Sequence, residues 1–282
     1  MMTDIAGDWF VREGKRTLRS VCPQSLLNWR EAQYYGRYGE IELHLLEFLC
    51  RPDRDAIDVG ANDGSYIHFM RKCSRRVYAL EPLPWLAKEL KKKFQHGVVI
   101  NNIALSHTAG TAALRMPVVD GVLVTGCSTI SADASSTYPG HQEIHVPLAT
   151  LDSVYTGEAG FIKIDVEGHE EAVLEGARET LARCRPRALV ELDERLAPGA
   201  ITRVIERFRA QDYAGYFVYR RQLLPVDRFD RDVMQNPKNL PDLKAPLEQR
   251  QRFGRYIYNF LFFPPDEPKL TLRRIEARIA HM

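Results

Sequence analysis

Eight consecutive residues carry the densest chemistry in the chain: Lys163-Ile-Asp165-Val-Glu167-Gly168-His169-Glu170. They follow the apolar pair Phe161-Ile162 and precede a stretch with helical periodicity. A strand therefore ends by delivering two carboxylates and an imidazole, Asp165, Glu167 and His169, to a glycine-marked turn. Open α/β sheets bind ligands at such strand ends. Taken alone, the group suits metal binding, hydrolysis or acid–base work equally. The bland alternative is N-terminal stabilisation, in which carboxylates at a helix start interact with its dipole for ~0.3–1 kcal/mol.

A second segment of the same kind lies upstream, Ala56-Ile-Asp58-Val-Gly60-Ala61-Asn62-Asp-Gly64-Ser65-Tyr66. It departs from the dinucleotide fingerprint, in which three glycines let the backbone approach a pyrophosphate. The middle glycine position holds Asn62. That substitution removes the close approach and offers a hydrogen-bonding side chain instead, which suits a smaller zwitterionic group such as the methionine end of S-adenosylmethionine. Val77-Tyr-Ala-Leu80-Glu81-Pro82 then places a carboxylate 21 residues after Gly60, where it can accept both ribose hydroxyls. Asn101-Asn102-Ile103-Ala104 ends the next strand, where an adenine edge could be read.

The elements that must position these residues alternate. Strands are expected at Ala56–Val59, Val77–Leu80, Val98–Asn102, Phe161–Ile164, Ala188–Leu192, Tyr216–Tyr219 and Tyr256–Phe263. Helices are expected at Tyr66–Cys73, Pro84–Phe94, Glu170–Ala182 and Ala200–Ala210. Such a rhythm predicts an α/β fold with a mostly parallel sheet, because parallel strands need crossover helices. A hairpin insertion at about 105–150, with strands Thr111–Val119 and Glu143–Pro147, interrupts it, and a proline-rich excursion spans about 222–252. Residues 1–50 read as an N-terminal helical segment, 51–264 as the main domain, and 265–282 as a basic helical tail with its helix at Leu270–Ile279.

Composition narrows the classes. The chain has 282 residues, 45% hydrophobic, with a formal net charge of +2, so a sizeable core is available and no basic field points to nucleic acid. Five scattered cysteines form no Cys-x-x-Cys pair, which speaks against a zinc site or disulfide framework and for a reducing compartment. Residues 1–10 lack a secretory h-region, and Phe260-Leu-Phe-Phe263 is too short to span a bilayer. A cytoplasmic protein without an integral membrane segment is expected; oligomeric state has no signal.

Together, Asp58-Val-Gly-Ala-Asn-Asp-Gly-Ser-Tyr66, Leu80-Glu-Pro82, Leu151-Asp152 and Lys163-Ile-Asp-Val-Glu-Gly-His-Glu170 resemble the FkbM-type S-adenosylmethionine-dependent methyltransferases, as do Gly39-Glu-Ile-Glu42 and Asn259-Phe-Leu-Phe-Phe-Pro264. The resemblance covers roughly residues 38–264. It implies a class I methyltransferase (Rossmann-like) fold, with a seven-stranded sheet whose last strand is antiparallel and helices on both faces. It also implies O-methylation of a small-molecule or glycan hydroxyl, such as a sugar or polyketide-like acceptor. The expected cofactor-binding set is Asp58, Gly60, Ala61, Asn62, Ser65, Tyr66, Glu81, Pro82, Leu83, Asn102, Ile103, Ala104 and Asp165.

Methyl transfer needs alignment and a route for the acceptor proton. His169, with its unperturbed pKa near neutrality, is the expected base and Asp165 its neighbour in the site. His141 and His145, flanking the insertion, are rivals. Glu167 is expected to stabilise the helix start. No metal is assigned, although Asp165 with Glu191 is a pair of hard oxygen ligands that could hold Mg²⁺. Tyr34-Tyr35-Gly-Arg37-Tyr38 reads as an aromatic wall or a packing cluster, Gly126–Thr129 as a lid or a hairpin tip, and Trp85 as an adenine neighbour or a buried edge residue. An NAD-dependent oxidoreductase on a similar sheet and a non-catalytic binding scaffold are the rival functions.

Overall fold

The computed structural model of the chain describes residues 22–119, 121–131, 134, 140–240, 246–249 and 253–282. The first 21 residues, much of the segment between 120 and 139, and parts of the proline-rich excursion lie outside this set.

The main sheet is built from β1 (Asp55–Val59), β2 (Val77–Leu80), β3 (Val98–Asn101), and, after the insertion, β8 (Ala159–Ile164), β9 (Arg187–Glu191), β10 (Ala214–Tyr219), β11 (Gln222–Pro225) and β12 (Asn259–Phe263). Their spatial order is β11-β10-β12-β9-β8-β1-β2-β3. The pairs β2–β3, β1–β2, β1–β8 and β8–β9 are parallel, whereas β12 runs antiparallel to both β9 and β10. Eight strands are present where seven were expected. The extra one, β11, pairs antiparallel with β10 through a two-residue turn, Arg220-Arg221, whose φ angles are 47° and 64°. Such a turn normally advertises itself with Asn-Gly or Asp-Gly. Two arginines in that geometry leave no signal in the sequence.

The insertion forms a second sheet of β4 (Ala104–Leu105), β5 (Gly110–Val119), β6 (Val122–Leu123) and β7 (His141–Ala149), in the order β4-β7-β5-β6. Its strands β5 and β7 pair antiparallel from Gly110↔Leu148 to Pro117↔His141, longer than the hydrophobic pattern predicts.

The helices of six or more residues among the described ones are α1 (Gln24–Tyr38), α2 (Ile67–Cys73), α3 (Pro84–Lys93), α4 (Glu170–Glu175), α5 (Arg178–Cys184), α6 (Ala200–Arg209) and α7 (Lys269–Ala280), of which α2 to α6 connect strands. The single helix expected over Glu170–Ala182 is broken at Gly176. That residue lies so close to the Ser106 carbonyl that an added Cβ would stand 2.0 Å from its oxygen.

Alternation along each strand sends side chains to two cores. Ile57, Val59, Ile162, Ile164, Ala188, Val190, Phe260 and Phe262 join the cluster beneath α4, α5 and α6. Ala56, Val77, Ala79, Phe161, Leu189, Leu261 and Phe263 join the opposite cluster, with α2, α3 and the segment after α1. The C-terminal helix α7 is bound into that second core through Ile275 and Ile279, both fully buried. Arg187 ties the region together. Its Nε and Nη2 donate to Glu267 at 2.6 and 2.9 Å, and its Nη1 donates to the carbonyls of Phe48, Leu49 and Cys50.

Candidate active site

Strands buried on both faces normally read as unbroken apolar runs. Four side chains violate that rule on one face. Asp58 in β1 sits beside Lys163 in β8, and Glu191 at the end of β9 pairs with Asn259 at the start of β12. All belong to the face of the second core, near the C-terminal end of the parallel strands. Above them the chain leaving α1 contributes Glu40 and Glu42, and the turn after β1 contributes Tyr66.

These groups line a cleft of about 830 Å³, within the size range of small-molecule sites. Asp58, Ala61, Ser65, Tyr66, Lys163, Glu191, Asp193, Arg195 and Asn259 all border it. A narrower crevice of about 60 Å³ adjoins it, lined by Val59, Leu80, Glu81, Pro82, Ile103, Ala104, Thr125 and Ser128 among others. Gly60, Asn62, Gly126, Asp165 and Glu167 border both cavities. Thr125, Gly126 and Ser128 of the insertion therefore line the crevice.

The turn after β1 is built for close approach. Gly60 has φ 81°, and a Cβ there would stand 1.9 Å from the Asp165 carbonyl oxygen. Asn62, in the position of the missing glycine, adopts φ 46°. Asparagine is among the few non-glycine residues that tolerate this region. Its backbone N–H donates to Glu81 Oε2 at 2.7 Å, while Leu83 N–H donates to Glu81 Oε1 at 2.8 Å. Burial pushes the Glu81 carboxyl up to about 7, with further upward pressure from Asp58 and Asp165, despite those two donors.

Asp58 is 1% exposed, and neither of its carboxylate oxygens has a hydrogen-bond partner. Lys163 Nζ stands 3.9 Å away, is 2.8 Å from Asp165 Oδ2, and lies 4.6 Å from the centroid of the Tyr66 ring. Burial raises the Asp58 carboxyl to about 6, partly offset by Lys163. The Lys163 ammonium loses hydration on burial, yet the charges of Asp165 and Asp58 more than compensate and hold it protonated. Tyr66 donates its hydroxyl proton to Glu40, which also accepts from Asn259 Nδ2 at 3.2 Å.

Of the expected cofactor set, Asp58, Gly60, Ala61, Asn62, Ser65, Tyr66, Glu81, Pro82, Ile103, Ala104 and Asp165 border one cavity or both. Leu83 and Asn102 border neither. The Asn102 amide instead donates to the carbonyls of Glu81 and Pro82 at 2.9 and 2.8 Å, pinning the turn that carries Glu81.

His169 lies apart from the other expected site residues. It borders neither cavity. The chain passes through Glu167 (φ 53°) and Gly168 (φ 93°), and this left-handed pair ends the strand alternation. His169 then caps α4 with its backbone, and its Nε2 lies 2.9 Å from Ser106 Oγ beyond β4. Burial, with a contribution from His107, lowers its pKa to about 4. Glu167, expected at the helix start, faces the cavities instead. The turn is closed by Glu170, whose Oε1 accepts from Val166 N–H at 3.2 Å and Gly168 N–H at 3.0 Å. Burial and the charges of Asp165 and Glu170 raise Glu167 well above the carboxylate range. Glu191 is raised likewise, by burial and by Asp165 and Glu167.

Other candidates separate as follows. His141 and His145 are exposed on β7 and border neither cavity. Trp85 is 42% exposed, neither buried nor in the crevice. Tyr35 donates to Asp63 Oδ2 at 2.5 Å and anchors α1, while Tyr38 borders the cleft. Asp193, Arg195 and Tyr256 were not anticipated. Arg195 Nη2 donates to Asp193 Oδ2 at 2.5 Å, and the Tyr256 hydroxyl donates to Asp193 Oδ1 at 2.9 Å. No helix among the described residues is long and apolar enough to cross a membrane.

A family model described as Methyltransferase FkbM domain matches residues 58–214. Comparison with the curated proteins finds no match. Solved structures give remote likenesses. A methyltransferase FkbM from Methylobacillus flagellatus KT is 13% identical with a TM-score of 0.46; the match covers 76% of this chain but only 44% of that one. A precorrin-6y C5,15-methyltransferase from Geobacter metallireducens GS-15 is 14% identical (TM-score 0.39, 79% and 87% covered). An rRNA methylase from Streptococcus thermophilus is 12% identical (TM-score 0.38, 79% and 92% covered).

Proposed function

The chain belongs to the FkbM methyltransferase family, and from that membership we propose that it is an S-adenosylmethionine-dependent O-methyltransferase acting on a hydroxyl of a small molecule or glycan. The observation that carries the cofactor assignment is Asp58, a fully buried carboxylate without a hydrogen-bond partner at the floor of the cleft. A buried carboxylate that accepts no hydrogen bond is costly, and Lys163 at 3.9 Å offsets only part of that cost. The cationic methionine end of the cofactor is the kind of partner that would satisfy it. Bound there, the cofactor supplies an already activated sulfonium methyl group.

The residues present fit the rest of that molecule. Gly60 and Asn62 border the cleft together with Asp58. Glu81 offers a carboxylate to ribose hydroxyls, and Pro82, Ile103 and Ala104 supply apolar walls for a purine. Asp165 and Glu167, which border both cavities, stand where an acceptor hydroxyl would be oriented and its proton received. The wide cleft between Tyr38, Tyr256 and Tyr258 is the acceptor space, and aromatic walls suit sugar rings. The five free cysteines suit a reducing, cytoplasmic setting.

Isothermal titration with S-adenosylhomocysteine and with NAD tests the assignment. S-adenosylhomocysteine is expected to bind and NAD to give no heat. Binding of NAD without S-adenosylhomocysteine would return the chain to the oxidoreductase reading.

A further inference from the structure

The acceptor side of the cleft holds a charge problem that the proposed cofactor does not solve. Asp165, Glu167 and Glu191 each present one carboxylate oxygen, and the three lie within 4.8 Å of one another. They come from different places: the end of β8, the left-handed turn beyond it, and the end of β9. Asp165 is paired with Lys163. Arg195 attracts Glu167 and Lys163 attracts Glu191, but less than burial and the neighbouring carboxylates oppose their ionisation.

A second observation comes from a different residue. Asn259 is 6% exposed, and its Oδ1 has no hydrogen-bond partner. It stands directly opposite Glu191 in the β9–β12 register and borders the same cleft. Its Nδ2 donates to Glu40 Oε2. The Asn259 amide nitrogen is committed to Glu40, which leaves its carbonyl oxygen without a donor beside Glu191.

We propose that Asp165, Glu167 and Glu191, with the Asn259 carbonyl oxygen beside them, form a binding site for a divalent cation of the Mg²⁺ or Mn²⁺ type. The donor set is all oxygen, which selects hard cations over zinc or copper. Few protein ligands leave positions for water or substrate, as is usual for Mg²⁺. The cation would hold an acceptor through its oxygen beside the methyl donor, so the proposal deepens the methyltransferase reading and rests on it for that role. Binding of the metal itself does not depend on it.

The test uses the full chain and MnCl₂ alone, read by loss of the free Mn²⁺ electron paramagnetic resonance signal. S-adenosylhomocysteine affinity is measured in parallel. Saturable binding of one Mn²⁺ is expected, competed by Mg²⁺. Glu191→Gln and Glu167→Gln should each weaken it at least as much as the ~10–100-fold typical of losing an outer-shell partner. Asp227→Asn, on an exposed ion pair remote from the cleft, should leave it unchanged. Full S-adenosylhomocysteine affinity in the Gln variants certifies their fold. No saturable Mn²⁺ binding by the wild type, or undiminished binding in both Gln variants, overturns the site. If S-adenosylhomocysteine binds while Mn²⁺ does not, the cation falls and the methyltransferase reading stands. The reverse pattern removes the methyltransferase reading and leaves the cation.

Discussion

Glu81 gives the most exacting test of the proposed cofactor site, because its protonation and its role pull against each other. Its carboxyl is 3% exposed and raised to about 7, chiefly by burial, with Asp58 and Asp165 adding to the rise. Ribose hydroxyls need the ionised form as acceptor. In the free protein, ionising Glu81 divides the apparent affinity by about 11 at pH 6, about 2 at pH 7 and about 1.1 at pH 8. S-adenosylhomocysteine should therefore bind about tenfold more tightly at pH 8 than at pH 6. Asp58, raised to about 6, adds roughly a further twofold at the acidic end. Glu81→Gln removes the titration and substitutes a donor for one acceptor oxygen. One of the two backbone N–H groups now satisfied at 2.7 and 2.8 Å then faces an NH₂. The variant should lose about 1.5–3 kcal/mol of binding at pH 8, roughly 10–160-fold in Kd. Its remaining pH dependence should shrink to the twofold of Asp58 and whatever both proteins share. Calorimetric titration of both proteins at pH 6, 7 and 8 decides the matter. A variant that keeps wild-type affinity at pH 8, or a pH profile as steep as the wild type's, would refute the placement of ribose at Glu81.

His169→Ala should leave S-adenosylhomocysteine affinity and methyl transfer within a few-fold of wild type, and cost only ~1 kcal/mol of stability from the lost Ser106 contact; a 100-fold loss of turnover at unchanged affinity would restore its catalytic role. Gly60→Ala should abolish cofactor binding and lower Tm, because its Cβ cannot coexist with the Asp165 carbonyl 1.9 Å away at φ 81°, and a variant with wild-type Tm and affinity would show that this turn yields freely. The anchoring of α1 should be acid-sensitive. Burial raises the Glu31 carboxyl, but hydrogen bonding to His68 and the charge of Lys93 at 2.9 Å outweigh it and hold it at about 2. A lowered carboxyl contributes stability above its unfolded pKa near 4.5 and loses it as pH falls towards 2. Glu31→Gln should therefore lower urea stability on the order of 1–3 kcal/mol at pH 7, with the gap to wild type closing between pH 4.5 and 2, and a constant gap would contradict the linkage.

The β-α alternation was legible because parallel strands are short apolar runs separated by amphipathic helices, and Val77–Leu80 is found where the pattern puts it. What the pattern could not show was set by backbone conformation at residues that carry no conformational signature. Arg220 and Arg221 make a hairpin turn without glycine or asparagine, so β11 was read as part of an irregular excursion. Gly176 breaks a helix because of a carbonyl brought up from a distant segment, a contact that no local propensity contains. Most of the residues expected to hold a cofactor line the two cavities because they are consecutive residues at three strand ends, so order along the chain is order in space.

The acceptor half required pairing across strands, and it depended on backbone conformation beyond the end of β8. Asp165, Glu167 and His169 are spaced by two, so an extended chain would send all three to one side. Glu167 and Gly168 both take positive φ, the chain reverses its sense, and the imidazole swings to the Ser106 side while the carboxylates remain in the cleft. A better signal was available. Parallel strands with both faces buried have no reason to carry Asp58, Lys163 or Glu191, since each interrupts an apolar run at a desolvation cost. Register then adds Asn259, and the chain leaving α1 adds Glu40 and Glu42. Polar interruptions of buried strands mark where a ligand must supply the missing partner, whereas polar residues in the turns beyond them are ambiguous until φ is known. By that criterion Asp58 and Glu191 were stronger candidates than His169 from the outset, and the cavity that joins them is the one in which methyl donor and acceptor would meet.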